Sequence, residues 1–325
     1  MVTVTRKVQQ TGGSTFIVSL PTKWAKENGL KRGSELVLEE EDGNLIIRGK
    51  SFEHREIVKT INIEDEVKDG NLLQRTMTSF YISNFKTLII RTKGHMKPDL
   101  REEIRRFSKV VMGVEIFEES ANTIVLQNVL DSSTFPLNNS VRRMSLNVET
   151  MLADVIEGIR KKDQELLESI EKRDDDVDRY QWYIYREVIK EGGSDTNRTF
   201  SLILSRILER IADHAVNLSK IWKVAAANVE DGIEGITRFL GTVQAMYMDA
   251  ITAFYSRTYA NLNSIINRKD EVLKLRSDLL MDRSIKDIYT KAATLEEISR
   301  IGLYATDIAE LAMDLILSEQ DSIKI

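Results

Sequence analysis

Two pairs of acidic residues carry the spacing from which coordination chemistry can be built. Asp174 and Asp178 are four apart, and so are Glu209 and Asp213. On an α-helix, residues four apart share one face, about 40° apart in rotation. Asn217 extends the second row by one more turn. On facing helices the two pairs could offer four oxygen donors to one cation, and hard oxygen ligands favour Mg²⁺, Ca²⁺, Mn²⁺ or iron over copper. The same spacing also suits a solvated helix face, where nothing is bound. His214 follows Asp213 directly, about 100° around the helix, and reads as polar packing or surface rather than as a ligand. The chain has no cysteine and only three histidines, His54, His95 and His214. That excludes disulfides, zinc–thiolate sites, iron–sulfur clusters, cysteine nucleophiles and a histidine-rich metal centre.

A second set of residues points to a polyanion. Arg6, Lys7, Lys23, Lys26, Lys31 and Arg32 are candidates for neutralising DNA phosphates. Residues 1–50 hold 8 basic and 6 acidic residues, net +2; residues 51–135 hold 12 and 13, net −1; residues 136–325 hold 26 and 32, net −6. The chain as a whole, at −5, is no uniformly basic nucleic-acid binder, but its positive charge lies at the front. Six basic residues are also near ordinary surface usage, so a front segment that only dimerises stays open.

The elements that must position these residues follow from proline placement and periodicity. With 325 residues, two or three domains are expected. The three prolines, Pro21, Pro98 and Pro136, leave the last 189 residues free of proline and open to long helices. A boundary is expected near Ser132–Pro136. Residues 1–50 read as β-rich: strands at Val2–Thr5 and Thr15–Leu20, a turn at Gly12-Gly13, a short helix at 22–28 with Gly29 at its C′ position, and a hairpin around Asp42-Gly43. Residues 51–135 read as a small α/β unit, βαβαββ, without a phosphate loop or dinucleotide fingerprint. Residues 136–325 read as all-α, five or six helices. In the clearest, Leu204, Leu208, Ile211, Ala215, Leu218 and Trp222 are spaced 4, 3, 4, 3, 4, the seam of a helix packed in a bundle. No apolar run of about 18 residues spans a bilayer, and the first residues lack a signal-peptide core, so a cytoplasmic protein with no membrane insertion is expected.

The helical region repeats itself. A shift of 95 places Met151, Asp154, Ile156, Leu167, Ser169, Ile170, Arg173 and Val177 on identical residues, Met246, Asp249, Ile251, Leu262, Ser264, Ile265, Arg268 and Val272. A shift of 90 aligns Arg210, Ile211 and Ala215 with Arg300, Ile301 and Ala305. Two three-helix bundles side by side are the simplest architecture. Their chemistry differs: the positions matching the four carboxylates are Lys269, Leu273, Ser299 and Leu303. One bundle is expected to be metal-competent and its twin structural.

The run Ile207-Leu-Glu-Arg-Ile-Ala-Asp-His-Ala-Val-Asn217 resembles the signature of the PhoU family of phosphate-uptake regulators, with Asp174-Asp-Asp-Val-Asp178 similar to its partner motif. The resemblance covers about residues 138–320. It implies duplicated three-helix bundles, iron or another divalent metal on the bundle surface, and contact with a phosphate transporter component or a sensor kinase. Ser299-Arg-Ile-Gly-Leu303 departs from the motif, which puts a second metal cluster in doubt. The run Gln10-Thr-Gly-Gly-Ser-Thr-Phe-Ile-Val-Ser-Leu-Pro-Thr-Lys-Trp24, with Gly29-Leu-Lys-Arg-Gly33, resembles the SpoVT/AbrB-type domain, which implies an intertwined homodimer with swapped hairpins and often DNA binding. The combination resembles archaeal regulators of this class. Three readings result: a dimeric regulator of phosphate homeostasis that binds DNA and metal; an adaptor that docks on a transporter or kinase without DNA; and, ranked last, a metal-dependent phosphohydrolase, for which no base with a matched acid is present.

Overall fold

The computed structural model describes residues 4–41, 44–49, 57–64, 70–130, 135–191, 195–225, 232–282 and 287–320. The chain divides into two compact units, Met1–Ile57 and Val58–Ile325. Among its described residues the first contains two separate antiparallel hairpins and one short helix. Strand β1 (Gln9–Thr11) pairs with β2 (Thr15–Ile17), and β3 (Leu36–Glu41) with β4 (Asn44–Gly49). Gly12 and Gly13, at φ 63° and 83°, make the first turn in a left-handed conformation that side chains resist. The strand expected at Val2–Thr5 is absent at Val4 and Thr5, residues 2 and 3 lying outside the described set, and pairing starts at Gln9 instead. There the turn can return the chain on itself. Helix α1 (Thr22–Glu27) ends as expected, with Gly29 at φ 63°. The tip of the second hairpin, Asp42-Gly43, lies outside the described residues.

The second unit opens with the βαβαββ order expected from the sequence. Its elements are β5 (Val58–Ile63), α2 (Gly70–Ile82), β6 (Thr87–Thr92), α3 (Pro98–Val110), β7 (Val114–Glu119) and β8 (Thr123–Asn128). The sheet runs β5-β6-β8-β7, with β5 parallel to β6 and the other pairs antiparallel. Period-two alternation turns Leu88, Ile90, Ile124 and Leu126 toward α2 and α3, where they meet Met77, Tyr81, Ile104 and Phe107 in one core. This α/β segment, expected to stand alone, belongs to the same compact unit as the helices, although its core is distinct from theirs.

Among the described residues seven helices follow: α4 (Leu137–Lys161), α5 (Gln164–Glu191), α6 (Thr196–Ala225), α7 (Ile233–Ser256), α8 (Leu262–Asn267), α9 (Lys269–Met281) and α10 (Ile288–Ser318). The count exceeds the expected five or six because the counterpart of α5 is broken. Arg268 closes a tight turn onto Ile265 and separates α8 from α9. The duplication is otherwise explicit. Residues shifted by 95 form the same ion pair twice: Arg173 with Asp154, and Arg268 with Asp249 at 3.4 Å. The first helix of each module ends on a left-handed residue in the same register, Lys162 (φ 56°) and Arg257 (φ 54°). The two modules do not keep separate cores. They share a single hydrophobic cluster, within which all six seam residues of α6 are fully buried. Repeat-equivalent His214 and Tyr304 stack on each other between α6 and α10, with ring centroids 5.6 Å apart.

Candidate metal centre

The carboxylate pairs sit on α5 and α6, which pack against each other along the first module. Apolar positions decide the rotation of each helix. Leu167, Ile170 and Val177 of α5, and Leu208, Ile211 and Ala215 of α6, are fully buried. Asp174, Asp178, Glu209 and Asp213 flank those stripes and are half-buried. All four lie within one another's electrostatic reach. Burial, followed by the charges of Asp213, Asp175 and Glu209, pushes Asp174 up to about 6. Burial, followed by Asp174, Glu209 and Asp213, pushes Asp178 up to about 7. Glu209 is raised as well, by burial and then by Asp213, with Arg206, Arg210 and Gln181 acting in the opposite sense.

Burial and mutual repulsion outweigh the nearby cations, Lys220 beside Asp174 and Arg206 and Arg210 beside Glu209. Asp174 Oδ1 and Glu209 Oε2 are buried and accept no hydrogen bond. Arg210 Nε stands 3.8 Å from Glu209, on a largely exposed side chain. Buried oxygens without donors are costly, and an oxygen-only donor set suits a hard cation. The donor chemistry therefore fits the group that the sequence implies. The side-chain placement is looser: among the described residues, no three carboxylate or imidazole groups converge into a ready-made metal set. The structure thus brings the four residues to one helix interface without closing them around a point.

The twin positions look different in every respect. Lys269 and Leu273 are exposed, Leu303 is half-buried, and buried Ser299 donates to Leu295 O within its own helix. Across the same helix pair, Arg276 of α9 meets Glu296 of α10 at 2.6 Å, and Arg300, one turn further along α10, meets the same Glu296 at 3.0 Å. His214, rotated off the carboxylate row as expected, places Nδ1 against Glu297 of α10, and Asn217 Nδ2 donates to the same carboxylate at 3.2 Å. It is thus a packing residue between modules.

Two features escaped the sequence reading. Gln181, 4% exposed, continues the Asp174 stripe on α5 and stands beside Glu209, while its Nε2 completes no hydrogen bond. Its spacing, three residues beyond Asp178, was the available signal. One turn further, Arg186 and Glu187 are almost wholly buried. Arg186 donates to Asn84 Oδ1 at 3.0 Å and covers the Tyr81 ring at 5.4 Å, while Trp182 packs on the α/β core. Helix α5 therefore carries the carboxylates along one stretch and the α/β segment along the next.

In the first unit the six basic residues, Arg6, Lys7, Lys23, Lys26, Lys31 and Arg32, are all exposed. Lys23 lies 3.9 Å from Glu27. No described residue of this unit is buried, and Val8, Phe16, Leu38 and Leu45 are 59–71% exposed. Among the described residues no helix is long and apolar enough to cross a membrane.

Comparison with known proteins supports the fold. Residues 141–221 match the PhoU domain, and residues 9–52 match the antidote-toxin recognition domain of the bacterial antitoxin MazE. The chain is 24% identical over 212 residues to a phosphate-specific transport system accessory protein PhoU homolog of Clostridium acetobutylicum, covering 60% of this chain and 97% of that one. A PhoU homolog of Caulobacter vibrioides is 28% identical over 140 residues, covering 41% and 60%. The crystal structure of PhoU from Pseudomonas aeruginosa superposes with a TM-score of 0.52 at 18% identity, over 57% of this chain and 98% of that one. PhoU from Streptococcus pneumoniae superposes with a TM-score of 0.51 at 17% identity, over 57% and 96%. The chain thus joins a PhoU-type helical region to a MazE/AbrB-like front domain, as both resemblances implied. Neither domain match reaches residues 58–130, and the PhoU match ends before the second module.

Proposed function

We propose that this chain is a cytoplasmic regulator of phosphate uptake that binds a divalent or iron cation in its first helical module. The observation that carries the proposal is the half-buried set Asp174, Asp178, Glu209 and Asp213, with two oxygens lacking any donor, in a region similar to accessory proteins of phosphate-specific transport. Those four residues would hold the ion; bound there, it would neutralise their charge and clamp α5 to α6. Elemental analysis and Mn²⁺ titration of the purified protein, beside Asp174→Ala and Glu209→Ala, test this. A stoichiometric cation lost in both variants supports it; equal and negligible metal in all three removes it.

The front unit would act as a homodimer. With every described side chain at least partly exposed, about 50 residues have no core of their own, and so small a unit needs a partner surface to fold stably. A second copy supplies one symmetrically. Dimerisation would duplicate Arg6, Lys7, Lys23, Lys26, Lys31 and Arg32 for contact with operator DNA, giving the protein a transcriptional arm. Mobility-shift assays with upstream DNA at low salt test that arm. A dimer that retards no DNA selects the second reading, an adaptor that docks on a phosphate transporter component or a sensor kinase. The breadth of exposed apolar surface on this unit favours dimerisation under both readings.

A further inference from the structure

Gln181 is a buried polar side chain beside the carboxylates whose amide nitrogen the fold leaves without a partner. On α5 it lies about 20° from Asp174 and 60° from Asp178, so its amide faces α6 with theirs. It is 4% exposed and its Nε2 has no hydrogen-bond partner, and the buried Oε2 of Glu209 across the interface also has none. Gln181 stands beside Glu209, and a buried amide donor and a buried carboxylate acceptor are each costly alone. Paired with each other they would satisfy both needs, and a hydrogen bond to one oxygen of Glu209 would leave the other for an ion. Trp182, the next residue, packs on the α/β core, so this turn of α5 is held from outside the module. The twin position is Arg276, a half-exposed cation engaged with Glu296 at 2.6 Å.

We propose that Gln181 is a positioning residue of the carboxylate centre, orienting Glu209 by its side-chain amide toward a cation shared with Asp174 and Asp178. The inference rests on the cation reading given above. It is tested by calorimetric Mn²⁺ titration of the full-length wild type, Gln181→Met, Glu209→Gln and the double variant, with a thermal melt of each. Met keeps the length and burial of the side chain and removes the donor. Gln181→Met should melt as cooperatively as the wild type and bind Mn²⁺ about tenfold or more weakly, the usual cost of losing a ligand's orienting partner. In the Glu209→Gln background the same change should have no further effect, because the group it acts through is gone. Unchanged affinity in Gln181→Met, or an equal loss in both backgrounds, overturns the proposal. If Gln181→Met does not melt cooperatively, Gln181→Ser takes its place with the same criteria. A wild type that takes up no Mn²⁺ removes the cation reading and this inference together, a result distinct from the other two.

Discussion

The two helical modules share a backbone plan and an ion pair, yet answer the same electrostatic problem in opposite ways. In the first, α5 and α6 face each other with four carboxylates, and burial raises Asp174 and Asp178 to about 6 and 7. In the second, Lys269, Leu273, Ser299 and Leu303 stand at those positions, and Glu296 is held by Arg276 across the helix pair and by Arg300 along its own helix. One module pairs its acidic residue with arginines; the other groups four half-buried carboxylates whose burial and mutual repulsion exceed the pull of Lys220, Arg206 and Arg210. The difference teaches that duplication kept the scaffold while the side chains on the two helix pairs diverged.

The largest effect should come from removing that difference. Asp178→Asn should weaken cation binding by about 100-fold while raising the melting temperature of the metal-free protein near pH 8, because a buried like charge disappears. Ser299→Ala should leave cation affinity unchanged. Calorimetry and a thermal melt read both, and a stabilising effect of Asp178 in the metal-free state would break the comparison.

The pH dependence follows with a definite sign. A carboxyl whose value is raised on folding from 3.8 to about 6 or 7 holds its proton more tightly when folded. Its contribution is complete below about pH 4 and is lost as pH rises through 6 to 7. Metal-free protein should therefore lose stability across that window in urea titrations, as far as these groups are concerned. Asn at both positions should flatten the trend. Saturating Mn²⁺ should reverse it, because ligands must be deprotonated to bind.

A structural cation of the second module gives the next effect. Lys291, 5% exposed, donates to Leu280 O at 3.0 Å and Asp282 O at 2.6 Å, closing the carbonyl end of α9. Lys291→Met should cost about 2 kcal/mol, the scale of a charged hydrogen bond lost in a buried setting, measured by chemical denaturation. The smallest effect sharpens the kinship of the modules. Arg173→Ala and Arg268→Ala remove equivalent, partly exposed ion pairs and should each cost about 0.5 kcal/mol. A gap of several kcal/mol between them would show that the repeated pair serves different ends.

Much of this was legible before any coordinates. The βαβαββ order of residues 58–128 follows from alternation and from Pro98 at a helix start, and the α6 seam from its 4-3-4-3-4 spacing. The repeat offsets located the Arg173–Asp154 and Arg268–Asp249 pairs by identity alone, without saying that they touch. The first strand was misplaced because Val2–Thr5 has β propensity but no turn to return a partner to it, whereas Gln9–Thr11 has Gly12-Gly13.

The sequence by itself determined which residues could do chemistry and on which helical face, because period and residue type are local properties. Only the tertiary structure decided that α5 and α6 bring four like charges together, that Gln181 and Arg186 are buried, and that the α/β segment docks on α5. Burial and field strength depend on what a neighbouring helix places within a few ångströms, and no local pattern encodes that distance.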